Sequence, residues 1–450
     1  MAEVKKIVVL GAGESGVGAA VLAKDKGYEV FVSDYGRIAD GHKATLKAEH
    51  IDWEEGGHTI DRILDADLVV KSPGIAKETP VMRAVAAKGI ETVSEIEFAG
   101  RFTDARMVCI TGSNGKTTTT LLTYHILRRA GLDVGLAGNV GHSLAMQVAR
   151  HPHDVYVIEL SSFQLDDMYS FHANIAVILN ITPDHLDRYD HKMENYVRAK
   201  FRILQNQTPA DAFIYWKADP VIAAQMRQIT VEATQYPFDV PGDPSLAAWV
   251  DDSDRLIVTT PRGGLTMPRA DLSLNGIHNL YNSMAAAISA SLMGIRSEVT
   301  KQALADFEGV EHRLEYVETV DGVRYINDSK ATNVNSTYYA LGSMTTPTVL
   351  ILGGKDKGND YTEILPLVRE KVKTIVAMGL HNEKIVDFFK DVVPVISTDN
   401  LDDAISACRD AAIPGDTVLL SPCCASFDLF SSYEDRGRKF KAAVKALNSK

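Results

Sequence analysis

Short apolar runs recur along the chain, each ending in a glycine-rich or polar turn that opens into a stretch with helical spacing. That alternation predicts parallel strands joined by helices, because runs that are apolar on both faces belong to buried parallel sheets. The first run, 5–10, leads into Gly11-Ala12-Gly13-Glu14-Ser15-Gly16, then a helical pattern through Val17, Ala20, Val21 and Ala23 that closes at Gly27. A strand at 29–33 ends at Asp34, and another at 66–70 runs into Lys71-Ser72-Pro73-Gly74. Periodicity fades over 95–105. From Met107 a new strand feeds a loop, and the helix after it is expected to start at Leu121-Leu122 and reach Arg129.

A glycine-rich loop at 135–141 holds Asn139, strands at 155–160 and 175–179 follow, and a helix is expected at 192–205. From 210 to 272 the pattern turns β-rich, with peripheral strands at 212–216, 248–250, 256–260 and 265–267. Gly276-Ile277-His278-Asn279-Leu280-Tyr281-Asn282 opens an Ala-rich helix that runs to Met293. Beyond Val310 a hairpin turns at Asp321-Gly322, and strands at 323–326, 348–352, 374–378 and 417–420 alternate with helices.

The 450 residues exceed one ordinary domain, and 45% hydrophobic with 24% charged residues is the make-up of a globular chain. Lys+Arg 47 against Asp+Glu 59 leaves a net charge of −12. That balance argues against nucleic acid as a partner, since a phosphate backbone requires a basic field. Any anionic ligand must be met by local positive groups. Lys5-Lys6 before Ile7-Val8-Val9-Leu10 imitates the start of a signal peptide, but Gly11, Gly13 and Glu14 cut the run, so a first strand is expected. No apolar stretch is long enough for a membrane span. Cys109, Cys408, Cys423 and Cys424 are far apart or adjacent, a pattern of reduced thiols, and the cytoplasm is the expected compartment.

Two loops carry phosphate chemistry. Thr111-Gly112-Ser113-Asn114-Gly115-Lys116-Thr117-Thr118 joins a strand to a helix; its glycines turn backbone N–H groups toward an anion, Lys116 neutralises phosphate and Thr117 can reach Mg²⁺. The full motif wants glycine where Ile110 stands. The turn Gly11 to Gly16, with Asp34 after the next strand, is the start of a dinucleotide-type fold. Glu159 ends a strand beside the phosphate loop, where a second metal-binding acid belongs. His185, in Asn180-Ile181-Thr182-Pro183-Asp184-His185-Leu186-Asp187, faces the ligand crevice, whereas Lys200 by itself reads as a surface group. Arg313, Lys330 and Lys357 are positive groups at one edge of a third sheet, suited to an anionic small molecule. The fold class is therefore α/β in three domains: Rossmann-like at 1–100, central and P-loop ATPase-like at 101–308, and Rossmann-like again at 309–450.

In that order the loop at 111–118, Glu159-Leu-Ser-Ser-Phe-Gln164, the turn at 180–187, Lys200 after Tyr196-Val-Arg-Ala, the segment 276–282 and Glu311-His-Arg313 resemble the Mur ligases, ATP-dependent amide-forming enzymes of peptidoglycan assembly. Asn327-Asp-Ser-Lys-Ala-Thr-Asn333, Ser421-Pro-Cys-Cys-Ala-Ser-Phe-Asp428 and Tyr433-Glu-Asp-Arg-Gly437 resemble the branch that adds D-glutamate to UDP-N-acetylmuramoyl-L-alanine. The resemblance implies ATP held by Gly112, Ser113, Asn114, Gly115, Lys116, Thr117 and Thr118, with Asn279 and Asn282 at adenine and Arg313 and Asp328 from the third domain. It implies Mg²⁺ at two sites, one held by Thr117 and Glu159, the other by His185 and a carbamylated Lys200, and a catalytic set of Lys116, His185 and Lys200. The UDP-sugar falls to Ser15, Gly16, Asp34, Ser72, Gly74, Asn139 and His185, with no nicotinamide cofactor. D-Glutamate falls to Lys330, Thr332, Lys357, Ser426 and Tyr433. Lys355-Asp356 and the tyrosine at 433 depart from the family pattern. An acyl phosphate intermediate, a hinge near 300–312 with closure on ligands, a monomer, and neither nucleic acid nor membrane as partner complete the expectations. Two rival readings are another Mur ligase or a folylpolyglutamate synthetase, against which the first domain and the lack of an Asp-Asn-Pro-Arg signature argue, and a nucleotide switch without amide synthesis, which has no use for Lys200.

Overall fold

A computed structural model describes residues 5–240, 242–356 and 358–447. It contains three sheets. The first is all parallel and built from β1 (Lys6–Leu10), β2 (Glu29–Asp34), β3 (Asp52–Glu55), β4 (Leu68–Lys71) and β5 (Glu91–Ser94), in the order β3-β2-β1-β4-β5. The strand order switches sides at β1, with β2 and β3 on one side and β4 and β5 on the other, and in open parallel sheets such a switch point is where ligands bind, at the carboxyl ends of the strands.

The second sheet takes β6 (Arg106–Thr111), β7 (Val134–Gly138), β8 (Val155–Glu159), β9 (Ile175–Ile178), β10 (Ala212–Trp216), β11 (Thr234–Phe238), β12 (Ala248–Val250), β13 (Arg255–Thr260) and β14 (Gly263–Pro268). Its order is β14-β13-β12-β11-β10-β9-β6-β8-β7, antiparallel only at the β12-β13-β14 edge. The third sheet joins β15 (Glu315–Val320), β16 (Val323–Asn327), β17 (Thr348–Gly353), β18 (Val372–Met378), β19 (Val395–Thr398) and β20 (Thr417–Cys423) in the order β15-β16-β20-β17-β18-β19. Only its first hairpin is antiparallel.

The chain forms two compact units, one of residues through Leu272 with Tyr281–Phe307, the other of Ser273–Leu280 with Glu308 onward. Alternation along β1 explains why two sheets share the first unit. Ile7 and Val9 face a core that also holds Cys109, Tyr156, Ile158 and Ile178 of the second sheet, whereas Val8 and Leu10 face a smaller core with Phe31 and Val69. In the second unit Leu350, Leu352 and Ile375 fill one face of the third sheet, and Val349, Ile351 and Val376 the other. All four cysteines are buried and free. No helix among the described residues is long and apolar enough to cross a membrane.

Several local expectations are corrected. The helix expected from Leu121 begins at Lys116, because the four threonines Thr117 to Thr120 are buried in its first turns and packing overrides their weak helix propensity. The helix expected over 192–205 is Met193–Phe201 followed by a 3₁₀ turn at Arg202–Leu204. Part of the glycine-rich loop at 135–141 is strand β7, and the aperiodic stretch after Glu95 contains a helix, Glu95–Gly100.

Candidate active site

In the first unit the turn after β1 is shaped by two glycines with different duties. Gly11 has φ +89, and a Cβ on Gly16 would stand 1.9 Å from the Gly11 carbonyl oxygen. Gly13 has neither constraint: its φ is −74 and nothing lies within 4 Å of where its Cβ would be. Backbone bared there serves an incoming group, and the N-terminus of the helix Glu14–Asp25 suits an anion. Asp34 braces this turn, accepting from the Ala12 amide at 2.6 Å and the Gly36 amide at 2.7 Å. Ser15 is half-buried at the helix start, Ser72 packs against Gly11, and Gly74 is exposed with open space around it.

The second loop is held from below. Asn180 accepts from the Asn114 amide at 2.9 Å through its side chain and from the Ser113 amide at 2.8 Å through its carbonyl, while the Ser113 hydroxyl donates to the Thr182 carbonyl at 2.8 Å. Gly115, at φ +81, caps the helix Lys116–Arg129. Lys116 Nζ arches over the loop and donates to the carbonyls of Gly112 at 2.7 Å and Ser113 at 2.8 Å. Asn282 is buried, with its amide oxygen accepting from the Thr119 hydroxyl at 3.2 Å and facing Gly115. It thus packs behind the phosphate loop, a bracing role that its helical spacing did not reveal.

Lys200 is 1% exposed, so the default surface reading fails. Its Nζ donates to the Gly112 carbonyl at 2.8 Å and lies 4.6 Å from the centre of the Tyr196 ring. Burial pushes its pKa well below the ordinary lysine value, Lys116 lowers it further, and Asp184 and Glu159 oppose the shift. Glu159 is 1% exposed; its Oε1 accepts from Asn139 Nδ2 at 2.8 Å, and its Oε2 is buried with no hydrogen-bond partner. A buried carboxylate oxygen without a proton donor fits an oxygen-loving cation such as Mg²⁺, and Thr117, buried in the first turn of the helix after the phosphate loop, carries a second hard oxygen. His185, at φ 52, keeps Nε2 3.5 Å from Asp184 and its ring 5.2 Å from that of Phe163.

In the second unit Asp328 is buried, accepting from the Leu314 amide at 3.2 Å and the Ser421 hydroxyl at 2.9 Å; burial raises its pKa to about 6 despite nearby Arg313. Arg313 Nε is buried without a hydrogen-bond partner. Lys330 Nζ stands 5.3 Å from the Tyr433 ring centre, Ser426 is buried, and Thr332 is half-buried. Lys357 lies outside the described residues. Asn279, also buried, donates to the Asn275 carbonyl at 2.8 Å. Sequence reasoning gave no role to Arg436, which is 1% exposed and donates to the Ser329 carbonyl at 2.8 Å and the Cys424 carbonyl at 3.2 Å. It ties the loop after β16 to the loop after β20. Among the described residues Glu311, His312 and Glu315 stand close enough to share a cation, but Lys441 already donates to both carboxylates at 2.7 Å.

Against families of known proteins, the Mur ligase middle domain matches residues 110–290, the Mur ligase glutamate ligase domain 312–424, and the MurD N-terminal domain 6–81. The chain belongs to the Mur ligase family. Among its relatives within the Mur ligases, the UDP-N-acetylmuramoylalanine--D-glutamate ligase of Bacteroides fragilis is 60% identical over 445 residues, which cover 98% of this chain and 100% of that protein. The enzyme of the same name from Porphyromonas gingivalis is 56% identical over 440 residues, 97% of this chain and 98% of that one. Among solved structures, a pseudomurein peptide ligase type C from Methanothermus fervidus aligns with TM-score 0.63 at 21% identity, over 98% of this chain and 100% of that one. The MurF ligase of Thermotoga maritima in complex with ADP aligns with TM-score 0.60 at 14% identity, over 99% and 96%. Those two likenesses concern the fold.

Proposed function

We propose that the chain is an ATP-dependent ligase that joins the amine of D-glutamate to the L-alanine carboxylate of UDP-N-acetylmuramoyl-L-alanine, in cytoplasmic assembly of peptidoglycan precursors, and that it works as a monomer. The full-length identity to D-glutamate ligases supports the choice of substrates. The observation that carries the chemistry is Lys200, an amine buried directly beneath the phosphate loop.

A carboxylate is a poor acyl donor because it has no good leaving group, so ATP first converts it to an acyl phosphate, releasing ADP. The amine then attacks, and phosphate leaves. Lys116 exchanges its two loop carbonyls for β and γ phosphate oxygens, and Ser113, Asn114 and Thr118 complete the cradle. Thr117 and Glu159 would hold one Mg²⁺, with Asn139 orienting the carboxylate. Lys200, whose depressed pKa supplies the neutral amine that CO₂ requires, would add CO₂ and release a proton to give a carbamate, which with His185 would hold a second. Bound there, Mg²⁺ would offset the negative charge that gathers as carboxylate meets triphosphate. Asn279 and Asn282 border adenine, and Arg313 and Asp328 add contacts to ATP. Ser15, Gly16, Asp34, Ser72, Gly74, Asn139 and His185 serve the UDP-sugar; Lys330, Thr332, Lys357, Ser426 and Tyr433 serve D-glutamate.

The test is oxygen transfer. Acceptor labelled with ¹⁸O in the alanine carboxylate should deliver label to inorganic phosphate as amide forms. Unlabelled phosphate alongside amide product would exclude the acyl phosphate.

A further inference from the structure

Glu14 is the first residue of the helix Glu14–Asp25, the helix whose N-terminus suits the anion held by the turn after β1. An acid there helps an empty helix, but it opposes a diphosphate: like charges about 4 Å apart in water repel by an amount worth roughly five-fold in affinity. The side chain is 58% exposed, so its contacts add little to stability. Those contacts lead to the loop after β7. Glu14 Oε1 accepts from the Ser143 amide at 3.2 Å, and His142 Nδ1 stands 3.3 Å from the same oxygen.

The other end of that loop is at Glu159. Asn139 donates through Nδ2 to Glu159 Oε1 at 2.8 Å and through its amide to the Glu159 carbonyl at 2.9 Å. Between the two ends the backbone has little freedom. Gly138, at φ +96, and Gly141, at φ +85, have no room for a side chain: their Cβ atoms would stand 2.1 Å from the Glu159 carbonyl oxygen and 2.4 Å from that of Leu136. The His142 amide donates to the Leu136 carbonyl at 3.1 Å, and Gln147 Nε2 donates to the carbonyls of Leu136 at 3.0 Å and His142 at 3.2 Å. Ser143 is buried, its hydroxyl donates to Glu95 at 2.7 Å, and a Cβ on Gly18 would come within 2.0 Å of that hydroxyl. A stiff segment therefore joins the helix of the first turn to the carboxylate beside the phosphate loop.

We propose that Glu14 is a positioning residue of this ligase: through the loop 138–143 it sets the diphosphate turn in register with Glu159, so that an acceptor anchored at one end presents its reacting carboxylate where Mg²⁺ would be held at the other. The charge of Glu14 weakens acceptor binding, and the oxygen it offers to Ser143 supports turnover. These are separate properties of one side chain, and substitution can divide them. The inference rests on the acceptor being a UDP-sugar, and its test separates the two.

Calorimetric titration of the full chain with UDP reads binding apart from turnover. E14A and E14Q should each bind UDP roughly five-fold more tightly than the wild type, since both remove the repelling charge. Turnover should divide them. With ATP, D-glutamate and Mg²⁺ saturating, E14A should lose about 10-fold or more in kcat, on the scale of lost outer support at a metal site, without raising KM for UDP-N-acetylmuramoyl-L-alanine. E14Q keeps an oxygen for the Ser143 amide and should stay within about two-fold of the wild-type kcat. Full kcat in E14A, an equal loss in E14Q, or UDP binding no tighter in either variant would overturn the bridge while leaving the ligase reading intact. A wild type that binds no UDP would overturn both.

Discussion

The Nζ atom of Lys200 lies 2.8 Å from the carbonyl oxygen of Gly112, the first glycine of the phosphate loop. A buried amine at that place has its charged form destabilised by desolvation and by Lys116. Neutral amine captures CO₂, so K200A should lose at least about 100-fold in kcat, on the scale seen when a group that orients a metal is removed. Short carboxylic acids should partly restore it, and intact wild-type protein should gain the mass of one CO₂ in bicarbonate. An active K200A enzyme that ignores added carboxylates would remove this lysine from the mechanism.

The two glycines of the first turn should part company under substitution. G16A would drive a Cβ to 1.9 Å from the Gly11 carbonyl, so it should unfold at markedly lower temperature. G13A meets nothing within 4 Å and should melt with the wild type while binding the UDP-sugar less well, because it projects where the ligand approaches. Melting curves and acceptor KM, read together, check the pair; a G13A variant with unaltered KM would mean that this glycine does not border the ligand.

Much of this site was legible in the chain, and the parts that were not share a cause. The glycine loops, Lys116 and Glu159 announce themselves through local pattern, since a strand, a tight turn and a helix start are short-range events. Arg436 and Asn180 brace loops distant in sequence, so nothing beside them signals their partners. Strand β3 is Asp-Trp-Glu-Glu at a sheet edge and lacks the apolar run that reveals a strand. Lys200 reads as a surface residue until tertiary packing covers it.

Glu95 supplies a pH dependence. It is 4% exposed, accepts from the Ser143 hydroxyl and the Ala145 amide at 2.7 Å each, and burial raises its pKa from 4.5 to about 7, with Glu14 adding to the rise. Between those values the folded chain holds a proton that the unfolded chain has released. This contribution to stability is complete below pH 4.5 and is lost as pH rises to about 7, by about 3 kcal/mol at most. Calorimetry across that range should show E95Q gaining on the wild type as pH rises; a constant difference would mean Glu95 does not titrate there.

Arg436 should act on folding and on substrate together. Its guanidinium meets the Ser329 and Cys424 carbonyls, and burial lowers its pKa only to about 10, so it remains charged at neutral pH. R436A leaves those carbonyls without a donor and should cost about 3 kcal/mol in urea titration. R436K keeps the charge without the fork and should recover only part, with KM for D-glutamate still raised. Full recovery by lysine would show that geometry is not what this residue supplies.

The central claim is decided by which amine allows turnover. Wild-type protein with ATP, Mg²⁺ and UDP-N-acetylmuramoyl-L-alanine is offered D-glutamate, L-alanine, L-lysine or D-alanyl-D-alanine, and ADP and amide product are followed together. ADP release with a stoichiometric D-glutamyl product, and background rates with the others, is the predicted result. Turnover supported by a different amine, or ADP release that needs no amine, would contradict the account.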